Sequence, residues 1–533
     1  MKRLLAVVCL GGLGAAAAWG QQADSGTKCL ELAKLALPHT TIVSAQVSEA
    51  GKLSLPEEKD PVFGRLPAFC RVSAESHPSA DSKIPIEVWL PLEGFSGRFQ
   101  GVGNGGFAGS FSYRDMANAI LHGDSTAGTD TGHTGNGLDA RWALGHPEKI
   151  IDFGYRAVHE TALTGQAVTQ AFYGRAAAHR YFASCSDGGR EALMEAQRFP
   201  TDYDGILAGA PAFNWTDLLA DFLYTVQTLQ RDPASYIPPA KLPAIGKAVL
   251  AKCAKDPGAE FLDDPSQCRF DPSTLLCSAA DSNDCLTAPQ VATLKGLYAG
   301  PNLKDGKTPS HGWMPGAEIG QNGWGGWITG PAPGKSAIWL FSTGYLDNMV
   351  YSKADLDVLK LDLHEALHKA QSTTGDMLDA VNPDLSAFSK HGGKLILYHG
   401  WNDAAIPALD TVDYYHKVVD TAGKASAAGF VRLFLVPGMQ HCGGGPGATA
   451  FGQGGPLDDL AQNDPEHSIH RAIETWVETG KAPERVTAAN VDMKDGKLST
   501  GFTRPICAYP RAAMYSGAGD RTSAASYHCA APK

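Results

Sequence analysis

Ser186, Asp403 and His441 lie far apart in the chain, yet each sits in a setting suited to one part of an acyl-transfer reaction. A serine hydroxyl is a weak nucleophile until a base accepts its proton. That base needs a carboxylate to hold its tautomer and favour its charged form. Ser186 is the apex of Tyr181-Phe-Ala-Ser-Cys-Ser-Asp-Gly-Gly-Arg190, an apolar lead-in that enters a tight Ser/Gly turn. The helix-patterned run Arg190 to Arg198 follows at once. Such an elbow lifts a hydroxyl above a sheet and aims the next backbone N–H, that of Asp187, at the place where a carbonyl oxygen becomes negative. Ser184 stands where the usual Gly-x-Ser-x-Gly pattern has its first glycine, so a polar loop between strand and helix is the plain alternative.

The elements that must position these groups are legible as buried-strand runs. Gly393-Lys-Leu-Ile-Leu-Tyr398 precedes Asp403, and Phe430-Val-Arg-Leu-Phe-Leu-Val436 precedes His441. A sheet carrying all three strands would bring three loops to one edge, in the chain order serine, acid, histidine. His399 and Asp410 compete for the roles of base and acid. His399 sits closer to its strand, in a place suited to a structural hydrogen bond, and Asp410 falls at a helix start. Ile84-Pro-Ile-Glu-Val-Trp-Leu90 alternates as a strand. It leads to the glycine-rich Arg98–Ser110, where close backbone approach is expected and Gly106 is the candidate second oxyanion donor. Residues 155–173 read as a helix. A further helix is expected around Ile469, Ile473, Trp476 and Val477, with Asp464 as its cap, Pro465 opening it and Gly480 ending it.

Residues 213–384 break the strand–helix alternation and carry a Gly-, Pro- and Trp-rich stretch at 312–334. They are expected to form an inserted lid, flat apolar faces on a bendable backbone. Residues 21–212 and 385–533 would then form the catalytic domain, and 1–20 a signal peptide: Lys2 and Arg3, the apolar Leu4 to Leu13, then small residues to Gly20. The 533-residue chain has a net charge of −11 and 19% charged residues, without a basic block in its mature part. That excludes phosphate-backbone binding as a main task. No apolar run is long enough to span a membrane. An exported protein, periplasmic or extracellular, acting on a small molecule is expected.

Export changes how the cysteines read. Removing Cys9 from the eleven leaves ten in an oxidising compartment, with many pairings open. Cys253 with Cys268, and Cys277 with Cys285, each close a short Asp/Pro-rich loop. Cys185 precedes Ser186 and Cys442 follows His441, so a bridge between them would pin two loops whose spacing matters. It is worth roughly 4–5 kcal/mol in the chain-entropy model, less any strain.

At these residues the chain resembles the tannase/feruloyl esterase family of α/β-hydrolases. The matching motifs are Cys185-Ser-Asp-Gly-Gly-Arg-Glu191, Gln197-Arg-Phe-Pro-Thr-Asp-Tyr-Asp-Gly-Ile-Leu-Ala-Gly-Ala-Pro211, Leu397-Tyr-His-Gly-Trp-Asn-Asp-Ala-Ala405, Leu409-Asp-Thr-Val-Asp-Tyr-Tyr415 and Leu433-Phe-Leu-Val-Pro-Gly-Met-Gln-His-Cys-Gly-Gly-Gly-Pro446. The resemblance implies the triad Ser186, Asp403 and His441, oxyanion donors from Gly106 and Asp187, and the bridge Cys185–Cys442. It also implies Cys29–Cys70, Cys253–Cys268, Cys277–Cys285 and Cys507–Cys529, an aromatic pocket wall at Trp327, and a substrate contact at Ile406. The chemistry so implied is ester hydrolysis without a redox cofactor, on aromatic acid esters such as feruloyl or galloyl esters.

Two departures shape the expectation. Family members often bind calcium in the lid through a loop that here is shortened to Cys253–Cys268 and has Ala254 at its first acidic position. Asp256, Glu260, Asp263 and Asp264 remain to supply some of the six to eight oxygens needed, and the expectation leans against a bound ion. Terephthalate-type members grip a free carboxylate with a lid arginine, but no arginine occurs between Arg269 and Arg432. Lys335 would substitute only as a point charge. Hydrolysis of monoesters such as mono(hydroxyethyl) terephthalate is therefore the second reading. A non-catalytic secreted binding protein on a hydrolase scaffold is the reading from another class.

Overall fold

A computed structural model describes residues 25–531 except 56–58, 257, 321, 457–461 and 495–496. The proposed signal peptide lies outside the described residues. The centre is a nine-stranded sheet in the order β1-β2-β3-β5-β4-β6-β7-β8-β9. Its strands are β1 Thr40–Ser48, β2 Phe69–Ser76, β3 Ile84–Pro91, β4 Arg98–Val102, β5 Ser125–Thr129, β6 His179–Cys185, β7 Gly205–Gly209, β8 Lys394–Gly400 and β9 Val431–Val436. β1, β2, β3 and β5 pair antiparallel; from β5 through β9 every pairing is parallel. Parallel strands covered on both faces read as continuous apolar runs, which is why β6, β8 and β9 stand out in the sequence.

Helices α1 (Ala157–Tyr173), α2 (Asp187–Arg198), α3 (Trp215–Gln230), α4 (Leu242–Cys253), α5 (Ala288–Ala299), α6 (Ala337–Tyr345), α7 (Leu363–Ala370), α8 (Ala408–Ala422) and α9 (Ile469–Thr479) follow in chain order. One apolar cluster joins β3, β4, β6, β7, β8 and β9 to α1, α2 and α8 through residues such as Phe99, Phe182, Leu193, Leu397 and Val412. A second packs the sheet against α9 through Ile396, Phe434, Ile473 and Trp476. α9 begins one turn later than the sequence pattern suggests. Ser468 is its cap, accepting from Arg471 N, while Asp464 accepts from Glu466 N and His467 N in a separate preceding turn. Gly480 ends it with φ +76°, as a left-handed cap requires.

Between Phe213 and Lys394 the described residues hold helices and turns and no named strand. They share a large apolar cluster with the sheet-side residues Phe107, Ala404 and Ile406. Asp410, at the start of α8, is a tether for this segment. Buried, it accepts from Ser310 Oγ (2.6 Å), His311 N (2.9 Å) and Asn214 Nδ2 (3.2 Å). Asn214, the head of an Asn-Trp-Thr sequon, is thereby buried in the fold and closed to glycosylation once folded.

Among the described residues five disulfides are present: Cys29–Cys70, Cys185–Cys442, Cys253–Cys268, Cys277–Cys285 and Cys507–Cys529. Cys507–Cys529 links two small antiparallel ribbons, β10 (Arg485–Lys494) with β11 (Lys497–Cys507), and β12 (Ala512–Tyr515) with β13 (Tyr527–Ala530). Of the four carboxylates of the shortened 253–268 loop, Asp256 pairs with Arg521 at 2.7 Å and Asp264 caps a turn through Ser266 N.

Candidate active site

Ser186 bridges β6 and α2 with φ +68° and ψ −123°, a conformation costly for a side-chain-bearing residue. Its surroundings hold it there. Ser186 N donates to Gly209 O at 2.9 Å, and its carbonyl accepts from Arg190 N and Ala212 N, each at 3.1 Å. Glycines make the approach sterically feasible: a Cβ on Gly188 would fall 1.9 Å from Ser184 Oγ, and one on Gly189 2.4 Å from Gly209 O. Ser184 is tolerated in the place of a glycine because Gly103 and Gly188 leave space against it.

β8 ends at Gly400, and the next turn carries Asp403. β9 ends at Val436, and the next loop carries His441. The three side chains meet. His441 Nε2 lies 2.9 Å from Ser186 Oγ, and His441 Nδ1 lies 2.8 Å from Asp403 Oδ2. Cys185 and Cys442, bridged with their Cα atoms 5.9 Å apart, tie the serine turn to the histidine loop. Asp403 is buried and receives donors on both oxygens. Ala405 N (2.7 Å) and Ile406 N (2.9 Å) reach Oδ1, while His441 shares Oδ2 with His399 Nε2 at 3.2 Å. Burial alone would raise its pKa. The charge of His441 and the bonds from His399 and His441 outweigh burial and hold the carboxyl well below the usual carboxylate range.

His399 is thus a partner of the acid. Its Nε2 faces two acceptors, Asp403 Oδ2 and Ile406 O (3.1 Å), so that nitrogen carries a proton. Its Nδ1 lies 2.9 Å from Thr411 Oγ1, whose hydroxyl can donate to it.

The glycine-rich segment after β4 is pinned against the start of α2 by Asn104. Asn104 N donates to Glu191 Oε2 (2.9 Å), its carbonyl accepts from Gly188 N (2.8 Å), and Nδ2 donates to Ser110 O and Thr129 O. Burial, with the neighbouring Asp187 charge, pushes the Glu191 carboxyl up from its ordinary range. Gly106 has φ +61°, and a Cβ there would lie 2.1 Å from Gly137 O. The N–H groups of Gly106 and Asp187 donate no hydrogen bond among the described residues. The Asp187 side chain bonds Arg190 Nε at 2.7 Å, both groups buried. Arg190 in turn donates to Phe153 O and Gly154 O and lies over the Phe153 and Trp215 rings. Arg190, unassigned by sequence reasoning, is the post against which the start of α2 is set.

Trp327, on the single helical turn Trp324–Trp327, packs edge-on to the His441 ring with centroids 5.1 Å apart. It stacks parallel to Phe341 of α6, which packs on Phe107. This aromatic series runs from the helical segment to the residue after Gly106. Phe107 and Phe341 are sequence-silent members, although adjacency to Gly106 is a signal that could have marked Phe107. Ile406 is 2% exposed, in the same apolar cluster as these rings, beside Asp403. Lys335 is exposed.

A mostly parallel sheet with a serine elbow, and an acid and a histidine on loops after late strands, defines an α/β-hydrolase. Comparison with known proteins narrows the class. The profile described as tannase and feruloyl esterase matches residues 70–530. An uncharacterized esterase of Xanthomonas campestris pv. campestris is 39% identical over 534 residues, covering 95% of this chain and 92% of that protein. A probable feruloyl esterase B-2 of Aspergillus terreus is 32% identical over 467 residues, 86% of each chain. The crystal structure of feruloyl esterase B from Aspergillus oryzae superposes with a TM-score of 0.87 at 30% identity, covering 95% of this chain and all of that one. The chain belongs to the tannase and feruloyl esterase family and is a carboxylic ester hydrolase.

Proposed function

We propose that this protein is an exported serine esterase that cleaves esters of phenolic acids, such as feruloyl or galloyl esters, through an acyl-enzyme. The observation that carries this reading is the continuous Ser186–His441–Asp403 relay at 2.9 and 2.8 Å. His441 takes the Ser186 proton as Oγ attacks the ester carbonyl. The N–H groups of Gly106 and Asp187 receive the oxyanion. The alcohol departs with the proton from His441, and water, deprotonated by the same imidazole, releases the acid. Residues 213–384 act as the lid over this centre, with Trp327 and Ile406 facing the substrate's ring. The phenolic substrate class rests on the relatives' names and on the aromatic wall at Trp327. Export is supported by five disulfides. Among the described residues no helix is long and apolar enough to cross a membrane.

The test is hydrolysis of methyl ferulate, methyl gallate, p-nitrophenyl acetate and mono(hydroxyethyl) terephthalate by wild type and Ser186→Ala. Wild type is expected to favour a phenolic ester, and the variant to lose turnover on all four. Preference for the terephthalate monoester would replace the substrate reading. Undiminished hydrolysis by Ser186→Ala would remove the mechanism.

A further inference from the structure

Helix α7 carries His364-Glu365-Ala366-Leu367-His368, two imidazoles four residues apart and so one turn apart on the same helix face. Their ring centroids are 4.4 Å apart at an interplanar angle of 76°. A third donor arrives from a distant loop. One ring nitrogen from each histidine and a carboxylate oxygen of Asp305 all lie within 4.8 Å of one another. His364 Nδ1 is buried and has no hydrogen-bond partner among the described residues.

The backbone places these groups independently of any ion. Leu303 packs with Leu367 and Ala220, setting the loop against α7 and α3. Lys304 Nζ reaches Asp362 Oδ2 at 2.6 Å, and Asp362 also caps α7 through His364 N and Glu365 N. A turn from Leu303 to Lys307 holds Asp305, whose Oδ1 accepts from Lys307 N at 3.1 Å. The exposed Lys307 ammonium lies 3.5 Å from its other oxygen, Oδ2.

We propose that His364, His368 and Asp305 form a binding site for a divalent transition-metal ion of the Zn2+ type, clipping the 303–307 loop to α7. Two imidazoles and one carboxylate suit Zn2+, whereas Ca2+ and Mg2+ call for oxygen cages. Zn–N distances of about 2.0–2.1 Å require the three donors to draw closer. Asp305 and His368 are exposed and have room to do so. The fourth position of a tetrahedral site falls to water. This site is separate from the ester-cleaving groups and does not depend on their assignment.

The experiment uses untagged mature enzyme stripped with a chelator and titrated with ZnCl2 by calorimetry, with thermal melts in parallel. One Zn2+ per chain and a rise in Tm are expected, with CaCl2 producing neither. His364→Ala and His368→Ala are each expected to weaken Zn2+ binding by roughly tenfold or more, since even ligand-orienting partners are worth that much. His368→Ala, changing an exposed side chain, is expected to keep wild-type esterase activity and so report a folded protein. Zn2+ binding of unchanged affinity in the doubly substituted protein would overturn the site, as would absence of binding to wild type.

Discussion

The sheet edge that carries Ser186, Asp403 and His441 and the helical segment above it hold their side chains in opposite ways. At the sheet edge each polar group follows the end of a parallel strand, and its backbone is fixed by short hydrogen bonds, by glycines that admit no Cβ, or by the Cys185–Cys442 bridge. The helical segment brings rings instead. Trp327 and Phe341 reach the site by packing on His441 and Phe107, and the segment is tethered through Asp410. On the proposed mechanism, topology fixes where bonds are made and broken, and apolar contact shapes what is held there. If that division is right, changes at the edge act on kcat and changes in the rings act on substrate choice.

The sharpest way to break the division is Asp403→Asn. The carboxylate accepts four donors, and Asn keeps the volume while losing the charge. A loss of roughly 10³–10⁴-fold in kcat is expected, as for an imidazole left in the wrong tautomer. KM on methyl ferulate should change little. A mainly KM effect would place Asp403 on the binding side of the comparison.

Removing the clamp by joint Cys185→Ser and Cys442→Ser substitution comes next. The bridge spans a sequence separation of 257. The chain-entropy model assigns about 5 kcal/mol to closing so long a loop, before any compensation in the unfolded state. Urea denaturation should show a loss of unfolding free energy of that order, and kcat should fall at temperatures where the protein remains folded. Unchanged kcat in the folded variant would mean that packing alone sets the Ser186–His441 distance.

How legible these features were follows from which forces are local. β6, β8 and β9 stood out because strands buried on both faces are apolar runs, and Ser186, Asp403 and His441 fall just past their ends. β1 was silent: its burial alternates irregularly and half its residues face solvent. β4 and β5 are hard to see because each is only five residues long, and β5 is made of Ser, Thr, Ala and Gly. The start of α9 differs from the sequence pattern because Asp464 and Ser468 both carry cap chemistry, and the hydrogen bonds that decide between them are not visible in residue type. In the sequence His399 and Asp410 compete with His441 and Asp403 for the roles of base and acid. Their partners, Asp403 in one case and Ser310 and His311 in the other, depend on how distant segments come together.

His399 tests whether the edge extends one residue deeper. Its bond to Asp403 is one of those holding the carboxyl below the ordinary range, so removing it makes the acid more basic and strengthens its hold on the His441 proton. His399→Leu should lower kcat by roughly ten- to a hundredfold, the worth of a hydrogen bond to a charged group. The acidic limb of the pH–rate profile should move to higher pH. His399→Gln, whose amide can take the place of Nε2, should recover much of both. A stability loss without movement of the limb would leave His399 a packing residue.

The smallest effect belongs to the rings and is the one that separates the two regions. Trp327→Ala removes an edge-on contact to His441 and the parallel partner of Phe341, while every hydrogen bond of the relay stays in place. Aromatic pairs are worth about 0.5–1.5 kcal/mol beyond the area they bury, which corresponds to roughly two- to tenfold. That loss should appear in kcat/KM for methyl ferulate, through KM, and be nearly absent for p-nitrophenyl acetate, whose acetyl group has no ring to lay against Trp327. An equal loss on both esters would mean that the tryptophan acts by holding His441 in place, which would move it from the segment that selects substrates to the edge that performs the chemistry.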